Sequence, residues 1–376
     1  MELSQMARLR LAYGFQKAKD LKSLHRAKTL IEDFVEINNS KPDAVDSRSS
    51  KLVDEAIYQL AWVLQDLEQT EESQECFGIL TMDYPDSKYW PDAAFRHAEL
   101  VQKSDPEFAG RLLEKILLQN VPAEICVQAL YLRSKIAADS GEWSSVIGPM
   151  SEMASRTEDD KVKAVASYWH AEALYRTGDF EAAGVIFDGL QPKAELLGAK
   201  LEPWLLLRLA QSHGKSQRWT NASTVARDCL DRFPNFANDY EFIYVLGRAE
   251  EYDGVFDKAR TKYREVIESE RGANTETAAI AQWRIGETYF HQKEYKKAVE
   301  AYYRTDSLYE FEQWKSAALL QAGKCQEHLE NWSHAAKLYT QLLDQHPQCE
   351  FVIDAKERLG RVTQIAKRTS NKETTR

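Results

Sequence analysis

This chain has few residues that could build a covalent or metal-linked framework. Its five cysteines (Cys76, Cys126, Cys229, Cys325, Cys349) are scattered over 376 residues without a CxxC pair or any metal-ligand spacing. A disulfide scaffold and a zinc-binding domain are therefore excluded, and the thiols are expected to be free and packed as small apolar groups. Apolar runs long enough to cross a bilayer are absent, so no membrane insertion is expected. The opening segment MELSQMARLRLAYGFQKAKD is broken by Arg8 and Arg10 and does not read as a secretory leader. A cytoplasmic location is the expectation, or a periplasmic one if an upstream signal has been removed. Basic charge is also scarce: net charge is -10, with 49 Lys and Arg against 59 Asp and Glu. Nucleic acid is thus not the expected partner. Alternating Val/Ile-rich stretches are lacking, which argues against a sheet. Phosphate-binding, dinucleotide-binding, zincin and nucleophile-elbow motifs are all missing. Paired acids such as Glu71–Glu72, Asp159–Asp160 and Glu250–Glu251 read as surface or turn charges. No catalytic residue and no cofactor is assigned.

What the chain does have is a phrase that recurs. It is clearest in AQWRIGETYFHQKEYKKAVEAY, residues 281–302, and returns at 240–263 and 316–339. Taking one small residue per phrase as an anchor gives Ala61, Ala98, Ser134, Ala171, Ala210, Gly247, Gly286 and Gly323, spaced 36 to 39 residues apart. A less regular first unit centres on Phe15. Residues 1–37 are thus an irregular first repeat, 38–51 a polar loop, 52–366 the regular array and 367–376 a disordered polar tail. Nine residues after most anchors stands an aromatic (Trp143, Phe180, Trp219, Phe256, Tyr295, Trp332). Three residues later comes a small residue (Ala183, Ala222, Ala259, Ala298, Ala335), and four further on a bulky one (Phe77, Phe187, Tyr263, Tyr302, Tyr339). Pro85, Pro234 and Pro347 close units. Apolar positions at helical spacing give each unit two helices with one buried stripe apiece, and a small anchor lets them approach closely. Gly141, Gly178 and Gly254 fall between them, where a left-handed cap is wanted. Gly148–Pro149 is expected to interrupt one second helix, and Gly184 to weaken another.

The pattern Ile285, Gly286, Tyr289, Ala298, Tyr302, followed by Gly323, Ala335, Tyr339 and Pro347, resembles the tetratricopeptide repeat. The likeness extends over residues 1–365, with units slightly longer than that family's 34, in the style of repeats from bacterial envelope proteins. It implies an all-α, right-handed α-α superhelix of about nine helix-turn-helix repeats, closed by an amphipathic helix at Val352–Ile365. It also implies that first helices line a concave groove into which the residue three before each anchor points. Those residues include Tyr58, Phe95, Tyr131, Tyr168, Tyr244 and Trp283, the candidate partner-binding site. Packing between repeats is the competing role for the same rings. One position beyond the anchors, Glu99–Lys135–Glu172 and Arg248–Glu287–Lys324 alternate in sign, as inter-repeat ion pairs would. His291 and His328 occupy equivalent positions but have no companion ligands, so no metal is assigned. His97 and His170 read as core residues. The resemblance implies a non-catalytic scaffold that docks a protein or peptide partner. Alternatives are a structural subunit of a larger, bacterial cell-envelope assembly that self-associates through its end repeats and, more remotely, a helical-toroid enzyme.

Overall fold

In the computed structural model, which describes residues 2–39 and 52–373, every anchor falls in the first helix of a helix pair. The chain divides into two compact units, Met1–Thr177 and Gly178–Arg376. Unit 1 holds α1 (Glu2–Ala18), α2 (Leu21–Asn39), α3 (Val53–Asp66), α4 (Thr70–Asp83), α5 (Trp90–Val101), α6 (Pro106–Leu117), α7 (Ala123–Asp139), α8 (Ser144–Arg156) and α9 (Asp160–Thr177). Unit 2 holds α10 (Phe180–Leu190), a 3-10 helix (Gln191–Leu197), α11 (Gly198–Lys215), α12 (Trp219–Arg232), α13 (Asp239–Tyr252), α14 (Phe256–Glu268), α15 (Glu276–His291), α16 (Tyr295–Leu308), α17 (Glu312–His328), α18 (Trp332–Gln345) and α19 (Val352–Glu373). No strand occurs among the described residues. The all-α tandem architecture expected from the sequence is the observed one.

The recurring residues build these pairs. Phe180, Trp219, Phe256, Tyr295 and Trp332 each open a second helix. The alanines three residues later are fully buried, and so are Phe77, Phe187, Tyr263, Tyr302 and Tyr339. Each of those three tyrosine rings lies directly on an anchor glycine. A Cβ placed on Gly247 would come within 2.7 Å of the Tyr263 ring, and Gly286 and Gly323 are covered in the same way by Tyr302 and Tyr339. Where the bulky residue is Phe77, in the same apolar cluster as its anchor, that anchor is Ala61. The difference follows the phenol. Tyr263, Tyr302 and Tyr339 donate their hydroxyls to Glu251, Glu287 and Glu327 on the first helix, which draws the ring across the anchor. Glu251 is therefore a half-buried acceptor, not the surface charge that the sequence suggests.

Between the two helices of most pairs the chain turns through a left-handed residue seven positions after the anchor; in α5–α6 that position is Asp105, with φ -142°. Gly141, Gly178 and Gly254 make the left-handed turn with φ of +77, +93 and +74°, and Glu68, Gln217, Lys293 and Glu330 take the same position with φ near +60°. Lys19 has φ +53° as well, so by the same count the first repeat is anchored on Ala12, which is buried, and not on the half-buried Phe15. Tyr84, Phe233 and His346 end second helices in one shared conformation, φ near -127° and ψ near 58°, each followed by a proline that prevents continuation.

Three local expectations change. Pro149 sits inside a continuous α8, six residues from its start, so the Gly148–Pro149 pair does not interrupt it. Gly184 does not break α10, and a Cβ there would meet Ser212 and Arg218 only at ordinary contact distance. The final helix runs on to Glu373, through most of the segment expected as a disordered tail. The loop expected over 38–51 lies outside the described residues, apart from its first two positions, which belong to α2.

Candidate functional site

Within each unit, first helices pack on one another as well as on their own partners. In unit 1 α1 meets α3 and α5 meets α7; in unit 2 α11 meets α13, α13 meets α15 and α15 meets α17. Among the described residues no two successive second helices pack comparably. The tighter side of the stack is thus the first-helix side, which forms an inner wall in each unit.

The six aromatics expected to face such a wall divide by accessibility. Phe95 and Tyr168 are 6% and 4% exposed and serve packing. Tyr58 is half-buried, stacks at 4.6 Å on Tyr89 and donates a 2.6 Å hydrogen bond to Asp92. Burial and that carboxylate push its phenol well above the ordinary value. Tyr131 is 44% exposed. Tyr244 and Trp283, on α13 and α15, are half-buried and keep accessible edges. Of the set Tyr131 alone is exposed, Tyr58, Tyr244 and Trp283 are half-buried, and Phe95 and Tyr168 are buried.

Around Tyr244 and Trp283 unit 2 adds residues that the sequence did not single out. The Trp314 ring lies 5.6 Å from that of Trp283, and its indole N–H donates to Glu276 at 2.9 Å. The Arg284 guanidinium stands 5.0 Å over the Trp283 ring and reaches Glu251 at 3.4 Å. Arg248 lies 5.1 Å over Trp219 and 3.6 Å from the same Glu251. The Trp283 indole N–H is buried without an acceptor. Trp314 had no signal, because it stands nine residues before its anchor at a position other repeats fill differently. Arg284 and Glu251 were legible in principle, as a charge of each sign one repeat apart. The expected alternating ladders are replaced by offset pairs: Arg248 and Arg284 share Glu251, Glu287 accepts from Tyr302, and Lys324 pairs with Asp354 of α19 at 3.5 Å. In unit 1, Glu99 pairs with Arg96, and Glu172 with Arg176, both along their own helix.

The histidines are packing groups. His328 stacks at 4.5 Å on Tyr295, and His291 on Phe256 at 6.1 Å. His97 is buried, bonds Thr81 at 3.1 Å, and burial lowers its pKa; burial lowers that of His170 too.

Two family models for the tetratricopeptide repeat match residues 244–309 and 317–348. Those residues, 244–309 and 317–348, are tetratricopeptide repeats by that match. The chain's solved structural neighbours include a tetratricopeptide repeat protein from Parabacteroides merdae, 13% identical, covering 73% of this chain and 98% of that one with a TM-score of 0.51. Another is a signal transduction ATPase with numerous domains and a tetratricopeptide repeat sensor, from Pyrococcus horikoshii. It is 14% identical and covers 95% of this chain and 54% of that one with a TM-score of 0.53. At such identities the likeness is one of fold. No curated protein matches the chain. Repeats of this family are protein–protein interaction scaffolds in general, and typically non-catalytic. Among the described residues no helix is long and apolar enough to cross a membrane.

Proposed function

We propose that the inner wall of unit 2 docks an extended segment or a helix of a partner protein, with Tyr244 and Trp283 as anchors. The observation that supports this reading most is their partial exposure on successive first helices, flanked by Trp314 and by two arginines that share one carboxylate. Half-exposed aromatics beside Arg are the residue types that carry binding energy at interfaces. The mixed charge suits a segment bearing both signs. In unit 1, Tyr131 is the exposed ring, Tyr58 is half-buried and Phe95 and Tyr168 are buried. The test is a double Tyr244→Ala/Trp283→Ala variant. Capture of partners from the native cell should fall about thirtyfold or more, with helix content by circular dichroism unchanged. Undiminished capture overturns the assignment.

A second reading, self-association through the first repeat, is favoured by a different observation. An apolar hollow of about 860 Å³ on α1 and α2 is lined by Leu11, Phe15 and Leu21 with Lys22, His25 and Arg26 beside them. Leu11 and Leu21 are 53% and 67% exposed. Residues 1–28 carry seven Lys and Arg against two Asp and Glu in a chain of net charge -10, so an acidic face of a second copy would complement them. Light scattering over a hundredfold concentration range should show the mass rising in wild type and not in Leu21→Glu. A constant monomer mass in wild type removes this reading.

A further inference from the structure

Three of the eight anchors have no ring sixteen residues on: Glu114 stands there after Ala98, Met150 after Ser134 and Ala226 after Ala210. Sixteen residues after the anchor stand Phe77, Phe187, Tyr263, Tyr302 and Tyr339, all fully buried. In the repeat formed by α7 and α8 the corresponding residue is Met150, and the anchor is Ser134, the single anchor with a polar side chain. At Met150 lies a hollow of about 80 Å³ within unit 1, lined by Tyr131, Ser134, Val146, Met150 and Trp169 with Lys135 and Asp139 at its edge. Ser134 is only 4% exposed, and its hydroxyl has no hydrogen-bond partner. Tyr131, at 44% exposure, connects the hollow to the inner wall.

We propose that this hollow is a specificity pocket for one methionine side chain of a bound peptide segment. The inference rests on the reading that the inner wall takes such a segment, and it names a side chain that the wall selects. Size argues first: an engineered apolar cavity that admits benzene measures about 150 Å³, so a space about half as large favours a slim aliphatic chain over a ring. Chemistry argues second. The buried Ser134 hydroxyl needs an acceptor, and a methionine thioether is a weak acceptor carried at the right depth by an unbranched stem. Sulfur also gains from the aromatic edges that Tyr131 and Trp169 supply. Met150, itself flexible, can move to admit the guest.

The test uses N-acetyl-methionine amide as probe, titrated into the full chain while the Met150 methyl and Trp169 indole resonances are followed by NMR. Saturable shifts are expected with wild type. N-acetyl-norleucine amide, which lacks only the sulfur, should bind about threefold more weakly, and N-acetyl-phenylalanine amide should not saturate. The double variant Ser134→Ala/Met150→Phe installs the Ala–Phe pairing present at Ala61 and Phe77 and should abolish the Trp169 shifts. Ser134→Ala alone keeps the hollow open and should erase the preference for methionine over norleucine, a result that does not depend on the double variant folding. Absence of saturation in wild type, equal binding of the phenylalanine probe, or shifts that persist in a folded double variant overturns the proposal. Because the probe reads the pocket itself, this outcome is independent of whether Tyr244 and Trp283 capture a partner.

Discussion

A glycine beneath a tyrosine ring is the unit of close packing here, and it makes opposite substitutions distinguishable. Gly247→Ala would drive a Cβ to 2.7 Å from the Tyr263 ring, whereas Gly110, in α6, has nothing within 4 Å of a Cβ. Gly247→Ala is expected to cost about 1–3 kcal/mol as overpacking. Gly110→Ala should be neutral or stabilise by about 0.5–1 kcal/mol. Urea denaturation followed by circular dichroism reads both, and equal effects would contradict the close-approach account. Reactivity can be argued at the same scale. Burial pushes the thiols of Cys76, Cys229 and Cys325 up to about 12, Cys126 is also buried, and Cys349 alone is half-exposed. Since the thiolate is the reactive form, brief N-ethylmaleimide treatment of the native chain should add one adduct, at Cys349. Intact-mass measurement showing two or more would refute this. The anchors were legible because a small residue at fixed spacing is a strong periodic mark. The carboxylates that accept from the tyrosines were not, since they stand one residue past the anchor at Glu287 but four past it at Glu251 and Glu327, and a count by fixed spacing misses that shift.

Most helix pairs close through the same left-handed residue, α5–α6 being the exception at Asp105, yet only some repeats use glycine there. Side chains at Glu68, Gln217, Lys293 and Glu330 hold a conformation that costs a non-glycine residue about 1–2 kcal/mol. Lys293→Gly should therefore stabilise unit 2 by about 0.5–1 kcal/mol after the added freedom of the unfolded chain is counted. Gly254→Ala, at φ +74°, should destabilise by a similar amount. A shift of the same sign for both in thermal unfolding would show that this turn is not the common element. The three glycines announced the turn in the sequence, but the other four residues carried no such signal, because Glu, Gln and Lys at a helix end look like ordinary surface residues. Helix α8 shows the converse: Gly148–Pro149 looks like a break, but the interior of the helix tolerates it while Val146, Met150 and Met153 are buried.

Across the whole molecule, the buried His97 and His213 and the half-buried His170, which is not the core residue expected, set a pH dependence. Burial lowers the pKa of His97, His170 and His213 below the ordinary 6.5, and for His213 this outweighs the nearby Asp188. The unfolded chain thus takes up protons first. The contribution is fully present above pH 6.5 and is lost as pH falls from there through the lowered values. Glu241 and Asp306, raised by burial, act with the opposite sign in the more acidic range. Between pH 7.5 and 6.0 the melting temperature should fall, and less steeply in His97→Gln; an unchanged or rising value would contradict the assignment. Each unit also owns its apolar clusters. Leu112, Leu113 and Ile116 lie in one cluster of unit 1, and Tyr302, Tyr339 and Val362 in one of unit 2. The last of these brings α19 into the core, and Arg358 on that helix bonds Glu327 at 3.0 Å.

The seat of each tyrosine ring, its glycine and its carboxylate all belong to a single repeat, so the fit is written inside the module rather than between modules. A spare copy of residues 287–323 spliced in after Gly323 would bring its own glycine, while Tyr339 and the carboxylates of the flanking helices would find their counterparts intact. The array is in that sense open to lengthening by duplication, one whole repeat at a time, without any existing joint having to be recut.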